Sequence, residues 1–101
     1  MTVLSTHVLD TSRGTPAAGI AVTLLSPGDE AIGAATTDAD GRARLGELGP
    51  GTHRLVFAVG DYLGPEAFYD DITVTFRVAS EAKLHVPLLL SPFGYSTYRG
   101  S

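Results

Sequence analysis

Two histidines far apart in the chain, one arginine in a turn and a tail of aromatic and hydroxyl residues are the side chains with chemistry to offer. His7 lies in Ser5-Thr6-His7-Val8-Leu9-Asp10, His85 in Leu84-His85-Val86-Pro87-Leu88, and Arg42 in Asp40-Gly41-Arg42. An imidazole with an unperturbed pKa of about 6.5 suits general acid–base work at neutral pH. A guanidinium is a planar fork of donors, matched to the carbonyl edge of a flat ring and to a developing oxyanion. The last seven residues are Tyr95-Ser96-Thr97-Tyr98-Arg99-Gly100-Ser101. Tyr98 can stack on or hydrogen-bond a flat heterocycle. Ser101 adds a hydroxyl and a terminal carboxylate. Only a fold can bring these groups together.

Each has a plainer reading. His7 is equally a half-exposed strand histidine with no role, and His85 points away from the apolar face of its own strand. Arg42 reads as a solvated loop residue with Arg44 as its neighbour. Arg99 reads as an ion-pair anchor for the tail, and Gly100 as a residue allowing a backbone turn. A two-histidine metal site is a poor fit, because zinc takes three or four ligands in most sites and no cysteine or spaced third histidine is present. The remaining histidine, His53, continues the apolar face of Leu55 and Phe57 and reads as structural. Asp70-Asp71 reads as a solvated pair. No nucleophile elbow, phosphate loop, dinucleotide fingerprint or zinc-protease motif occurs, and no cofactor is expected.

The elements that would position these residues are strands. Val3–Asp10 alternates, with Leu4, Thr6 and Val8 on one face and Ser5 and His7 on the other. Thr11–Gly19 is a loop punctuated by Gly14, Pro16 and Gly19. Ile20–Ser26 is a strand with Ile20, Val22 and Leu24 inward. Pro27-Gly28-Asp29 is a turn, and Glu30–Thr37 a weak strand short of large side chains. Asp38–Gly46 reads as a polar loop around Gly41, with room for a short strand after it, and Gly49-Pro50-Gly51 as a turn. Thr52–Val59 is a strand, and Gly60–Glu66 a short helix or irregular loop that Gly64-Pro65 keeps from lengthening. Phe68–Val78 is the clearest strand. Leu84–Leu90 follows, then a turn at Ser91-Pro92 and a terminal strand. About eight short strands and at most one short helix predict an all-β fold, an antiparallel two-sheet sandwich. Its edges need protection. Pairing with another copy is one means, with Leu88-Leu89-Leu90 as a possible interface.

With 101 residues there is room for one domain spanning 1–101, which can bury roughly 60–70% of its unfolded surface. Hydrophobic residues at 44% and charged residues at 18% indicate a globular chain. The net charge of −4, with one lysine and six scattered arginines, argues against nucleic acid as a partner. An anionic substrate would need local positive charge. The lack of cysteine removes disulfides and thiol chemistry. No stretch is apolar enough to span a membrane, and no signal peptide is seen, so a cytoplasmic location is expected.

Three segments carry a resemblance. The ending Leu88-Leu89-Leu90-Ser91-Pro92-Phe93-Gly94-Tyr95-Ser96-Thr97-Tyr98-Arg99-Gly100-Ser101 resembles the C-terminal signature of the 5-hydroxyisourate hydrolases, the transthyretin-like enzymes of urate breakdown. The start, Ser5–Asp10 with Gly14-Thr15-Pro16-Ala17, and the middle, Thr37–Arg42, resemble that family's other two motifs, in the family's order. The resemblance implies the transthyretin fold, two four-stranded sheets assembled as a homotetramer, with sites in a channel between subunits. It implies hydrolysis of 5-hydroxyisourate, a small-molecule substrate, to 2-oxo-4-hydroxy-4-carboxy-5-ureidoimidazoline in purine degradation to allantoin. It assigns catalysis to His7, Arg42, His85 and Ser101, and substrate binding to His7, Arg42 and Tyr98. Which histidine is the general base stays open. Leu84, Phe93 and the Tyr62–Tyr69 segment depart from the family pattern. The alternatives are a transthyretin-type carrier without catalysis and a sandwich interaction domain with no small-molecule site. A carrier lacks the two histidines, the arginine and the Tyr-Arg-Gly-Ser ending.

Overall fold

The computed structural model describes residues 1–100 of the chain. Nine strands and one short helix follow in the order β1 (Thr2–Asp10), β2 (Thr15–Pro16), β3 (Ala21–Leu25), β4 (Ala31–Thr36), β5 (Arg42–Leu48), β6 (Gly51–Phe57), α1 (Val59–Leu63), β7 (Ile72–Val78), β8 (Lys83–Ser91) and β9 (Gly94–Thr97). They form two sheets. One runs β4-β3-β6-β7; the other runs β2-β1-β8-β9, with β5 also paired to β1. Alternation along the strands turns one face of each sheet inward. Leu4, Val8, Leu88 and Leu90 from the first sheet meet Val22, Leu24, Leu55 and Phe57 from the second, all essentially inaccessible to solvent.

The all-β sandwich is the expected one, with local differences. Arg42–Leu48 is a strand, not a polar loop. Ala43, Leu45 and Leu48 are buried while Arg42 and Arg44 face out. The period-2 signal is blurred by the small Ala43 and broken at Gly46, where the β1–β5 register shifts. The strand expected over Phe68–Val78 begins only at Ile72. The strand expected over Thr52–Val59 ends at Phe57, and Val59 opens α1. A two-residue pairing, β2, sits inside the expected Thr11–Gly19 loop.

Pairing is not antiparallel throughout. β1 and β8 run parallel in the centre of their sheet, from Val3 beside Lys83 to Asp10 beside Leu90. A parallel neighbour needs a long crossover, and here nearly the whole chain supplies it. This central pair brings the two ends of the sequence together. It also corrects the role suggested for Leu88-Leu89-Leu90. Leu88 and Leu90 are in the core, so only the half-buried Leu89 faces outward.

α1 is one turn and a half, closed by Gly64-Pro65. Its Tyr62 hydroxyl donates to Asp10 Oδ2 at 2.8 Å, pinning the helix to the end of β1. Asp10 is buried and also accepts from the Ser12 hydroxyl at 2.6 Å and from the backbone N–H of Ser12. Burial raises the pKa of this carboxyl, but the bonds from Ser12, Tyr62 and Arg13 together outweigh it and hold it below the usual value. β4, short of large side chains, is an edge strand as its composition suggests. A side-chain carbon at Gly33 would meet the Leu45 carbonyl at 2.5 Å, so glycine lets β4 close against β5 of the other sheet.

Candidate active site

The outward face of the β5-β1-β8 sheet collects the predicted residues because strand register sets them in rows. Arg44 is opposite Ser5, Ser5 is beside His85, and His85 bridges to Gly100. The next row places Arg42 opposite His7 and His7 beside Pro87. Directly opposed side chains on one face stand about 5 Å apart at Cβ, so two rows gather both histidines and both arginines.

Arg42 is placed by its turn. The Asp38 carboxylate accepts from the backbone N–H groups of Asp40 and Arg42, both at 2.9 Å. Such an Asx-type turn is favoured by aspartate at its start. Gly41 has a φ of +74°, in the left-handed region, and a side-chain carbon there would collide with the Val8 carbonyl. Its own carbonyl accepts from Val8 N–H at 2.7 Å. Glycine is thus required where the turn is laid on β1, one residue from His7. The same turn holds His7, whose Nε2 donates to the Asp40 carbonyl at 2.8 Å. A carbonyl only accepts, so Nε2 carries the hydrogen.

His85 is held differently. Its Nδ1 lies 2.9 Å from the Ser5 hydroxyl. Its carbonyl accepts from Gly100 N–H at 2.8 Å. A side-chain carbon at position 100 would sit 2.7 Å from His85 Cδ2. Ser5 thus engages one edge of the ring, and only glycine fits beside the other. Burial lowers the pKa of the half-buried ring first, and the nearby charges of Arg42 and His7 lower it further; a hydrogen bond with the Ser5 backbone opposes them. The imidazole is kept neutral at pH 7.

His85, Arg42, Ser5 and Gly100 line a groove of about 810 Å³, within the usual range for small-molecule sites. Arg44, Lys83 and Arg99 line it too, so four of the chain's 7 basic residues face one groove of an acidic protein. That supplies the local positive charge an anion would need. His7 stands in the row beside the groove and is not among its lining residues. Among the described residues no cluster of three or more His, Cys, Asp or Glu is spaced to hold a metal.

The other expected residues fall elsewhere. Tyr98 is 57% exposed and lines a separate hollow of about 140 Å³ with Val74, Phe76 and Val86. The structure of a single chain does not bring it into the His85 groove. Ser101 lies outside the described residues. Arg99 approaches Glu81 at 4.0 Å, the ion pair foreseen for the tail, though one so exposed contributes little. His53 is buried, faces Phe76 with ring centroids 6.1 Å apart and bonds the Gly51 carbonyl at 3.2 Å, a structural role. Sequence reading overlooked Ser5 and Asp38. Ser5 could have been found from its place two residues before His7 on the same face, and Asp38 from its place three residues before Gly41.

Residues 4–100 match the family model described as "HIUase/Transthyretin family". The chain belongs to this family. It is 45% identical to a 5-hydroxyisourate hydrolase of Mesorhizobium japonicum, with 97% of this chain and 91% of that protein covered. The structure of Klebsiella pneumoniae 5-hydroxyisourate hydrolase superposes with a TM-score of 0.91 at 37% identity, covering all of both chains. Transthyretin from Sparus aurata gives a TM-score of 0.89 at 29% identity, covering 96% and 95% of the two chains. Fold likeness alone therefore leaves the hydrolase and transthyretin branches nearly level. The family member described here carries both histidines and the turn arginine. Among the described residues no helix is long and apolar enough to cross a membrane.

Proposed function

We propose that this protein is a 5-hydroxyisourate hydrolase of urate degradation, opening the six-membered ring of its substrate at a cyclic amide bond. The observation that carries the reading is His85: a neutral imidazole in a cationic groove, its Nδ1 engaged by Ser5 and its Nε2 without a hydrogen-bond partner among the described residues. Family membership supports the same reading, as does the name borne by relatives alike over nearly their whole length. The carrier alternative leaves this arrangement without a purpose.

His85 serves as general base. Its Nε2 takes a proton from water as the oxygen attacks the amide carbonyl carbon. Negative charge gathers on the carbonyl oxygen, and Arg42 stabilises it. The tetrahedral adduct collapses, the C–N bond breaks, and the departing nitrogen recovers the proton from the His85 imidazolium. The products are a carboxylate and the ureido nitrogen it leaves behind. His7, tied to the Asp40 carbonyl, orients substrate beside Arg42.

The enzyme works as a homotetramer, with the groove of one copy completed by another. Tyr98, exposed in the single chain, and Ser101 then meet substrate at the subunit boundary. Light scattering should give four times the 10.5 kDa chain mass; an active monomer removes this part of the proposal. Arg42→Ala and His7→Ala should each leave a folded oligomer and lower turnover by about 10²–10⁴-fold. Wild-type rates in both would overturn the assignment of the site.

A further inference from the structure

The reaction as written gives Ser5 no role, yet its hydroxyl is the side-chain group bonded to the His85 ring among the described residues. Serine oxygen can accept or donate, and the partner of one imidazole nitrogen decides which nitrogen carries the hydrogen. If Ser5 donates to Nδ1, Nε2 bears the hydrogen and offers the groove no lone pair. If Ser5 accepts from Nδ1–H, the Nε2 lone pair faces the groove. Whenever His85 takes up a proton it becomes an imidazolium, both of whose nitrogens are donors. Its Nδ1–H then needs an acceptor, and the Ser5 hydroxyl stands 2.9 Å away. On the opposite edge the chain passes so close that only glycine fits beside Cδ2.

We infer that Ser5 is the positioning residue of His85: its hydroxyl accepts from Nδ1–H, fixes the tautomer with Nε2 unprotonated, and receives the imidazolium hydrogen bond during turnover. The two histidines are then set in opposite senses. His7 carries its hydrogen on Nε2, held by a backbone carbonyl that cannot change role. His85 carries its hydrogen on Nδ1, held by a hydroxyl. The opposed settings leave one ring able to accept a proton from water at Nε2 and the other donating there. The inference rests on the hydrolase reading for its catalytic consequence, but not for its structural content.

The test has two arms. Nitrogen-15 spectra of His85 in the ligand-free protein read the tautomer directly, with no substrate present. The expected spectrum shows protonated Nδ1 and unprotonated Nε2 at neutral pH, and the Nδ1–H signature weakened in Ser5→Ala. An Nε2–H ring in the wild type overturns the inference. In the second arm, Ser5→Ala should lower kcat about tenfold with KM within twofold, and Ser5→Thr, which keeps the hydroxyl, should recover most of it. The acid limb of the rate profile should move to lower pH in Ser5→Ala, because a hydroxyl that accepts from the imidazolium favours the charged form of the ring. A merely structural serine would leave that limb in place. An inert wild-type protein with the expected spectrum would sink the hydrolase reading alone. An active one with an unchanged Ser5→Ala profile would sink the role of Ser5 alone.

Discussion

The backbone of Gly100 donates to the His85 carbonyl at 2.8 Å and lies so close to the ring that a side-chain carbon there would stand 2.7 Å from Cδ2. The tail is thus a wall of the groove, and its glycine is needed for space. Contacts that short do not occur between real side chains, so either the ring or the tail must move. Gly100→Ala should therefore lower kcat by about 10–100-fold, since small misplacements of the proposed base would be costly. The denaturation midpoint should change little, because the substitution lies outside the core. Unchanged turnover would show that the tail does not hold the ring.

Gly41 fills a different need. Its φ of +74° and its contact with Val8 oppose any side chain. Gly41→Ala should destabilise the fold by about 1–3 kcal/mol and loosen the turn that carries both Arg42 and the carbonyl bound by His7. Urea unfolding checks the first effect and KM the second. A variant as stable as wild type would mean the turn re-forms elsewhere at no cost.

Much of this was legible before any coordinates. The alternation of Leu4, Thr6 and Val8 against Ser5 and His7 put His7 on the outward face, and Leu84-Val86-Leu88-Leu90 did the same for His85. What alternation cannot express is which strands become neighbours. The parallel β1–β8 pair joins positions 80 residues apart in sequence, as in Ser5 beside His85, and nothing local encodes it. β5 escaped because Ala43 is a weak apolar signal and Gly46 interrupts the period. Tyr98 shows a limit of another kind: its motif names a role, but a single chain leaves it outside the groove.

With His85 as the proposed base, its depressed pKa should set the pH dependence of the reaction. Burial comes first among its causes, then Arg42, then His7. Its base form persists below the ordinary value of about 6.5, so the acid limb of kcat/KM should lie below that pH. Removing the Arg42 charge in Arg42→Gln should move the limb upward while lowering the rate. A limb at or above 6.5 in the wild type would contradict the environment described for the ring.

Asp10 governs a separate, structural dependence. Its folded-state pKa is lowered, so its contribution to stability is full above the unfolded value of about 3.9 and is lost as pH falls through the folded value. Tyr62→Phe removes one of the bonds and should cost about 1.5–3 kcal/mol at neutral pH. The difference from wild type should shrink toward pH 3. A difference that does not vary between pH 7 and pH 3 would show that Tyr62 acts through packing and not through the carboxylate.

The central claim is that His85, seated between Ser5 and Gly100, activates water against 5-hydroxyisourate. It is tested most directly by the ultraviolet decay of that compound, generated in situ from urate, with wild-type protein and with His85→Ala. Decay far faster than the uncatalysed rate is expected in the wild type, and a loss of about 10²–10⁴-fold in the variant. Decay at the uncatalysed rate with the wild-type oligomer, or equal acceleration by both proteins, would contradict it.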